Sequence, residues 1–263
     1  MSFLVNSYAL GWTSSELGSA LALWLDAADV STITTASNAV SQWNDKSGNG
    51  RNASQLTAQN QPTYNLSGLN NRQSVNFDGD GDNLALPTGF LNGVTAVSVA
   101  FVLLGPAQQN DAIFGPSTLN STGLEIVYTS VANWPTLVRI NSVNKITSGL
   151  WSTNSQPAIS ILQADASATA GWFNGSTVSA VSATGIAALN FNGVYSIGTY
   201  SGNDYAGNNS GTTVSAQMNL GEFIISTAVW STSDRQRIEG YLAHKWGLVA
   251  NLPSNHPYKT VAP

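Results

Sequence analysis

A β-hairpin is predicted by residues 170–181, which read AGWFNGSTVSAV. Asn174-Gly175 lies between two runs, 170–173 and 177–181, that are suited to strands. Asn-Gly favours a two-residue hairpin turn because both residues tolerate positive φ, which a tight turn of this kind requires. The segment therefore predicts two neighbouring antiparallel strands.

The same pattern continues on both sides of this hairpin. Short runs rich in β-branched and aromatic residues alternate with Gly, Asn, Pro and Ser, and they cover residues 97–104, 112–114, 124–128, 137–140, 158–162, 194–199 and 216–225. In 124–128 and 194–198, successive residues are expected to point to opposite faces of a sheet. Many short strands separated by turn residues predict an all-β sandwich of antiparallel strands.

One α-helix is predicted near the carboxyl end. Ser231 is suited to the N-cap, Asp234 is favourable in the first turn, and Gly247 provides the left-handed residue that ends a helix. Between them, apolar side chains recur at helical spacing: Ile238, Tyr241, Leu242 and Trp246. We expect one amphipathic helix packed on the sandwich.

Composition excludes several classes of partner. The 263 residues carry 9% charged side chains, a net charge of −5 and no cysteine. Lys and Arg form no cluster, so we expect no nucleic-acid partner. No apolar run approaches the roughly 18 residues of a membrane span, so we expect no membrane partner. Residues 1–6 lack the features of a signal peptide, and synthesis in a host cytoplasm without Sec export is expected.

Three parts of the sequence resemble LamG-like, concanavalin A-like jelly-roll domains of the kind found in bacteriophage structural proteins. The first contains LWLDA at 23–27 and VSQWNDKSGNG at 40–50, and the second QPTY at 61–64 and VNFDG at 75–79. The third contains GEFII at 221–225 and RQRIEGYLAHKWGL at 235–248. The resemblance implies an all-β, concanavalin A-like jelly-roll sandwich of two antiparallel sheets, with the C-terminal α-helix packed on it, and a carbohydrate- or protein-binding role.

No linker or repeat divides the chain, so we predict a single LamG-like domain over residues 23–263. Residues 1–22 are predicted to be an N-terminal arm. Within this arm, four large apolar side chains are candidates for assembly contacts: Phe3, Leu4, Tyr8 and Trp12.

Catalytic patterns are missing from the sequence. Glycoside hydrolysis usually needs two carboxylates about 5 to 9 Å apart. Glucanases of related fold carry them on a Glu-x-Asp-x-Glu strand, but none of the four glutamates here has a carboxylate two residues away. There is also no Gly-x-Ser-x-Gly, and there are only two histidines. We therefore expect that the chain is not an enzyme and has no cofactor.

The acidic run at Asp78, Asp80 and Asp82 begins like a calcium loop, with carboxylates at its first, third and fifth positions. It then departs from that pattern, because Asn83 and Gly89 stand where Gly and Glu belong. An ordinary Asp-Gly turn is the favoured interpretation, and a looser calcium site remains the alternative. No metal ligand is assigned.

Four aromatic residues and one aspartate in polar loops are the candidates for sugar contact: Trp134, Trp151, Tyr200, Asp204 and Tyr205. Two other roles stay open for them, namely closing the ends of the sandwich and contacting another subunit. The remaining tryptophans, at 12, 24, 43, 172, 230 and 246, are interpreted as packing residues.

Two functions follow as expectations. The favoured one is a bacteriophage virion structural protein, either a capsid decoration subunit or an exposed tail-attached component. It would lie on the virion surface, with other capsid or tail proteins as partners and a homo-oligomer as an open alternative. The second is a carbohydrate-binding, lectin-like module that recognises a host surface glycan.

Overall fold

The computed structural model describes residue 18 and residues 20–105, 112–117, 122–128, 137–146, 156–178, 184–201 and 213–263. Within these residues the chain forms an antiparallel β-sandwich with one long helix. Both sheet layers are built from short strands joined by turns, as the Gly- and Asn-rich connections predict.

The strands are β1 (Leu21–Asp26), β2 (Ile33–Ala36), β3 (Ala39–Trp43), β4 (Ala53–Ser54), β5 (Thr63–Leu69), β6 (Arg72–Asp78), β7 (Leu84–Ala85), β8 (Val97–Leu104), β9 (Ala112–Pro116), β10 (Leu124–Val127), β11 (Leu137–Ile140), β12 (Val143–Ile146), β13 (Ala158–Ala164), β14 (Thr169–Phe173), β15 (Ser176–Thr177), β16 (Tyr195–Ile197), β17 (Thr199–Ser201), β18 (Thr213–Ser215) and β19 (Gln217–Ser226). The helix is α1 (Thr232–Trp246).

Strand β19 organises the first layer. It pairs with β8 along one edge, while β6 and then β1 pair with successive halves of its other edge. Beyond β8 follow β13, β14 and β15. The second layer is centred on β9, which lies between β10 and β16, and it continues outward through β11 and β12 on one side and β7 and β4 on the other.

The main core lies between the two layers. Tyr195 of β16 stacks on Phe114 of β9 with ring centroids 5.0 Å apart, and Phe114 contacts Phe223 of β19 at 5.3 Å. The Tyr195 hydroxyl accepts a hydrogen bond from the Leu124 backbone N–H at 3.2 Å, which satisfies its polar end inside the core. All four residues are buried.

A second core lies between the outer face of the first layer and α1. Ile224 of β19 and Ile161 of β13 pack there with Ile238 and Leu242 of the helix. At the helix start, the Ser231 hydroxyl accepts a hydrogen bond from the Asp234 backbone N–H, and Gly247 ends the helix at a φ of 69°. The predicted helix and its position are confirmed.

The predicted strands are also confirmed where the structure describes them. In the hairpin, β14 and β15 flank Asn174 and Gly175, whose φ values are 48° and 80°, but β15 ends at Thr177, and residues 179–181 of the predicted strand lie outside the described residues. One outward-facing side chain is not solvated: Glu125 of β10 is buried and pairs with Arg139 of β11 at 3.2 Å. No helix in the described ranges is long and apolar enough to cross a membrane.

Candidate functional site

Most residues predicted from the sequence as sugar or assembly contacts lie outside the described residues. This applies to the sugar candidates Trp134, Trp151, Asp204 and Tyr205, and to the arm residues Phe3, Leu4, Tyr8 and Trp12. Tyr200 has its backbone in β17, paired with Val214 of β18, and its side chain is not described. These assignments therefore stay predictions, as does the division of the chain at residue 22.

The acidic run between β6 and β7 forms a compact turn. Asp80 donates its backbone N–H to the Asp78 carboxylate at 2.8 Å, and Asp78 donates its own to the Asp82 carboxylate at 3.1 Å. Asp82 is buried, and this burial raises its pKa to about 6. In the ranges that the structure describes, no three His, Cys, Asp or Glu side chains lie close enough to hold a metal ion. Turn formation accounts for the contacts observed here.

Glu222 of β19 is fully buried beneath α1 and accepts three hydrogen bonds. The Trp24 indole and the Tyr241 hydroxyl donate to Oε1 at 2.7 and 2.8 Å, and the Trp246 indole donates to Oε2 at 2.8 Å. Burial raises the pKa of Glu222 against the opposing effect of Lys245. The interpretation of Trp24 and Trp246 as packing residues is confirmed.

Lys245 extends this cluster to a second carboxylate. Its ammonium lies 2.8 Å from Glu222 Oε2 and 2.6 Å from Asp26 Oδ1. Lys46 in turn lies 2.8 Å from both Asp26 and Asp29. These charges compensate one another between helix and sheet, so the cluster holds α1 in place and presents no open site.

A groove with a volume of about 260 Å³ lies at the other end of the helix. It is formed where the connection between β13 and β14 faces the segment that leads into α1. The residues that line it are Gln163, Ala164, Asp165, Ala168, Ala170, Trp172, Val229, Trp230, Thr232 and Arg235.

Two tryptophans supply the aromatic surface of this groove. Trp172 of β14 is only half buried, and it lies opposite Ile161 of β13. The Arg235 guanidinium lies over its ring, 4.3 Å from the centroid. Trp230 is buried, yet its indole N–H has no hydrogen-bond partner among the described residues.

Neighbouring side chains hold these groups in position. Arg235 forms an ion pair with Glu239 one helical turn on, at 2.5 Å, and His256 lies 3.0 Å from the other oxygen of Glu239. Gln163 of β13 donates to the Trp230 carbonyl at 3.0 Å, which ties the segment before α1 to the sheet. The groove is therefore preorganised from three separate parts of the chain.

Sequence reasoning missed this site because it assigned Trp172 and Trp230 to packing. Both side chains do pack in the core beneath the helix, but they also line the groove. Trp172 stands two residues before the Asn-Gly turn, where a strand is short and one face is easily left partly open. The position of Trp172 near the turn was the one available signal in the sequence. The groove itself forms only because the start of α1 packs beside it.

No protein-family model and no curated protein sequence matches the chain. Similar solved structures exist, however. A sialidase of Trypanosoma rangeli in complex with sialic acid has a TM-score of 0.58 at 12% identity, over 86% of this chain and 33% of the sialidase. A GH54 α-L-arabinofuranosidase has a TM-score of 0.55 at 17% identity, over 76% of this chain and 50% of that enzyme.

A third similar structure concerns cell entry of botulinum neurotoxin type C, described as dependent on interaction with two ganglioside molecules. It has a TM-score of 0.58 at 11% identity, over 88% of this chain and 53% of the other. At these identities the likeness shows the fold alone. The chain is a jelly-roll β-sandwich, and its neighbours are consistent with the concanavalin A-like lectin fold.

The comparisons correct one expectation from the sequence. The prediction that the chain is not an enzyme is wrong as drawn, because the solved structures that share its fold include sialidases and an arabinofuranosidase. A missing Glu-x-Asp-x-Glu strand excludes one glucanase pattern and says nothing of other enzymes built on this sandwich. The chain spans about a third of the length of the sialidases it matches.

Proposed function

We propose that this chain is a glycan-binding module and that it contacts sugar in the groove beside Trp172. The observation that carries the proposal is the half-buried Trp172 ring, which lines the groove together with Trp230. An aromatic surface covers the C–H groups of a sugar ring, while polar groups at the rim meet its hydroxyls. The groove is lined by Trp172 and by polar side chains such as Thr232 and Asp165.

The size of the groove fits a small part of a glycan. Sites for drug-sized molecules measure roughly 300–1,000 Å³, and this groove measures about 260 Å³. It therefore has room for about one sugar ring, with the remainder of an oligosaccharide outside. A site of this kind gives modest affinity per copy, and several copies together raise it.

The structural neighbours support the same class of ligand. One is a sialidase with bound sialic acid, one is an arabinofuranosidase, and one is a neurotoxin described as interacting with gangliosides. The names of all three indicate proteins that bind glycans or act on them. This likeness in fold supports glycan binding for the present chain without pointing to a particular sugar.

A glycan array followed by titration of the best ligand tests the proposal. We expect Trp172→Ala to weaken binding by about two- to tenfold, since an aromatic contact contributes about 0.5–1.5 kcal/mol beyond area burial. Val229→Trp should block the groove as well, because Val229 is exposed at its rim.

Val143→Trp is the matched control, since Val143 is also an exposed valine but lies on β12 and does not line the groove. Circular dichroism and thermal unfolding would establish that each variant is folded. A folded wild-type protein that binds no glycan contradicts the proposal. Equal affinities for wild type and Val229→Trp would show that the glycan binds outside the groove.

We also propose that the module is carried on the surface of a bacteriophage particle, as a capsid decoration or tail-attached component. Support comes from the three sequence segments that resemble jelly-roll domains of phage structural proteins and from a charged fraction of only 9%. Purified particles of a phage that encodes this chain should contain it in many copies by quantitative mass spectrometry. Absence of the chain from such particles would refute this placement.

A further inference from the structure

The positive charge of Arg235, which lines the groove, is already compensated by a carboxylate. Arg235 pairs with Glu239 at 2.5 Å, and both side chains are at least nine-tenths buried. The guanidinium also lies over the Trp172 ring. Among the described residues that line the groove there is no lysine or histidine, and Arg235 is the only arginine. An acidic sugar would therefore find no free cation to pair with in this lining.

The start of α1 does not replace that cation. Thr232 lines the groove in the first turn of the helix, where backbone N–H groups and the helix dipole favour anions. Here, however, the Asp234 N–H is already bound by the Ser231 hydroxyl at 3.1 Å. The Asp234 carboxylate also lies in the same turn and offsets the dipole.

Asp165 adds a negative charge to the lining. Its Oδ1 accepts hydrogen bonds from the backbone N–H groups of Ala168 at 3.0 Å and Ser167 at 2.7 Å. These bonds hold the pKa of Asp165 below its ordinary value, so the carboxylate is ionised at neutral pH. No cation pairs with it among the described residues.

We propose that the groove selects uncharged sugar rings and discriminates against carboxylated ones such as sialic and uronic acids. The proposal rests on the glycan-binding function above and names its ligand class. A sugar carboxylate would enter beside the Asp165 charge, and the one cation described in the lining, Arg235, is already paired with Glu239, whereas a neutral hydroxymethyl group meets no such repulsion. The selectivity is thus set by repulsion as much as by attraction.

The test compares matched sugars. After array screening, the best neutral glycan and its counterpart with a carboxylate at C6 of the bound ring are titrated calorimetrically into the wild-type protein and into Asp165→Asn. We expect the wild type to bind the neutral sugar at least about fivefold more tightly, from one like-charge contact near 4 Å in water. In Asp165→Asn the ratio should fall to about twofold or less, because Asn keeps the acceptor oxygen for the turn.

Asp80→Asn is the control for charge alone, since Asp80 is exposed in a different turn and should leave the ratio unchanged. Preferred or equal binding of the acidic sugar would overturn the selectivity and leave glycan binding intact. An unchanged ratio in Asp165→Asn would overturn it as well. A folded protein that binds neither sugar, nor any other glycan on the array, would overturn the function itself.

Discussion

Two buried carboxylates, Asp82 and Glu222, show how strongly surroundings decide what one residue does. Glu222 has three hydrogen-bond donors and the Lys245 ammonium around it. Asp82 receives the backbone N–H of Asp78 and has two further aspartates nearby. Burial is the largest cause of the raised pKa at both carboxylates, but at Glu222 a lysine opposes it, whereas at Asp82 the neighbouring aspartates add to it.

Asp82 therefore predicts a pH dependence of stability. Its pKa is about 6 in the folded protein against an ordinary value of 3.8, so the folded state binds its proton more tightly than the unfolded state. The resulting stabilisation is fully present below pH 3.8 and is lost as the pH rises through about 6. Between pH 4 and pH 6, the free energy of unfolding of the wild type in urea should fall by an amount on the order of 1 kcal/mol. In Asp82→Asn this fall should be absent.

Asp165→Asn is the control for this measurement, because the pKa of Asp165 is lowered and its titration falls below that window. If the unfolding free energies of wild type and Asp82→Asn changed in parallel from pH 4 to pH 7, the assignment to Asp82 would be wrong.

Individual site residues were poorly predictable from the sequence. The sequence pattern favours aromatic residues in polar loops, whereas Trp172 belongs to a strand and Trp230 precedes a helix. The contact of Trp172 with Arg235 joins residues that are far apart in the chain. Only tertiary packing creates such a contact, and no local pattern reports it.

At the scale of elements, local signals determine the helix and the hairpin. The helix begins and ends at capping residues, and Asn70 adds a bond from its side-chain amide to the Trp246 carbonyl at 2.8 Å. The Asn174-Gly175 turn likewise needs only its own two residues. This explains why both elements were predicted correctly.

Ser231→Ala tests the contribution of the helix start. Loss of the bond from the Asp234 N–H should lower the free energy of unfolding by about 1 kcal/mol. Ser233→Ala is the matched control, since Ser233 is exposed within the first turn and alanine favours helix there. Equal unfolding midpoints for wild type and Ser231→Ala in guanidinium chloride would contradict the role of the cap.

Strands of the first third of the chain were harder to predict one by one. β5 reads TYNLSGL and β6 reads RQSVNFD, which are polar sequences with weak strand propensity. They are strands because they pair with each other and because β6 pairs with β19, nearly 150 residues later. Long-range pairing of this kind overrides local preference.

For the whole molecule, the two cores share their central strands. Phe101 and Phe223 face the core between the layers, while their neighbours Ala100 and Ile224 face the core beneath α1. The backs of β8 and β19 therefore support the helix while their fronts support the second layer. Because neither core can be lost without exposing these strands, the two should unfold together.

Calorimetry tests this cooperativity. Leu242→Ala removes a side chain from the core beneath α1, and Ile197→Ala removes one from the core between the layers. Each should destabilise by about 2–5 kcal/mol and lower the midpoint of one common transition by roughly 5–15 °C. Two resolved transitions, each moved by only one of the variants, would show that the cores unfold independently.

The central claim, sugar binding in the groove beside Trp172, is tested most directly by NMR of the tryptophan indole N–H groups during titration with the best array glycan. The resonances of Trp172 and Trp230 should shift in a saturable manner. That of Trp43 should stay in place, because Trp43 is fully buried in the other core, where its N–H also has no partner among the described residues. Saturable binding that leaves Trp172 and Trp230 unshifted would contradict the claim.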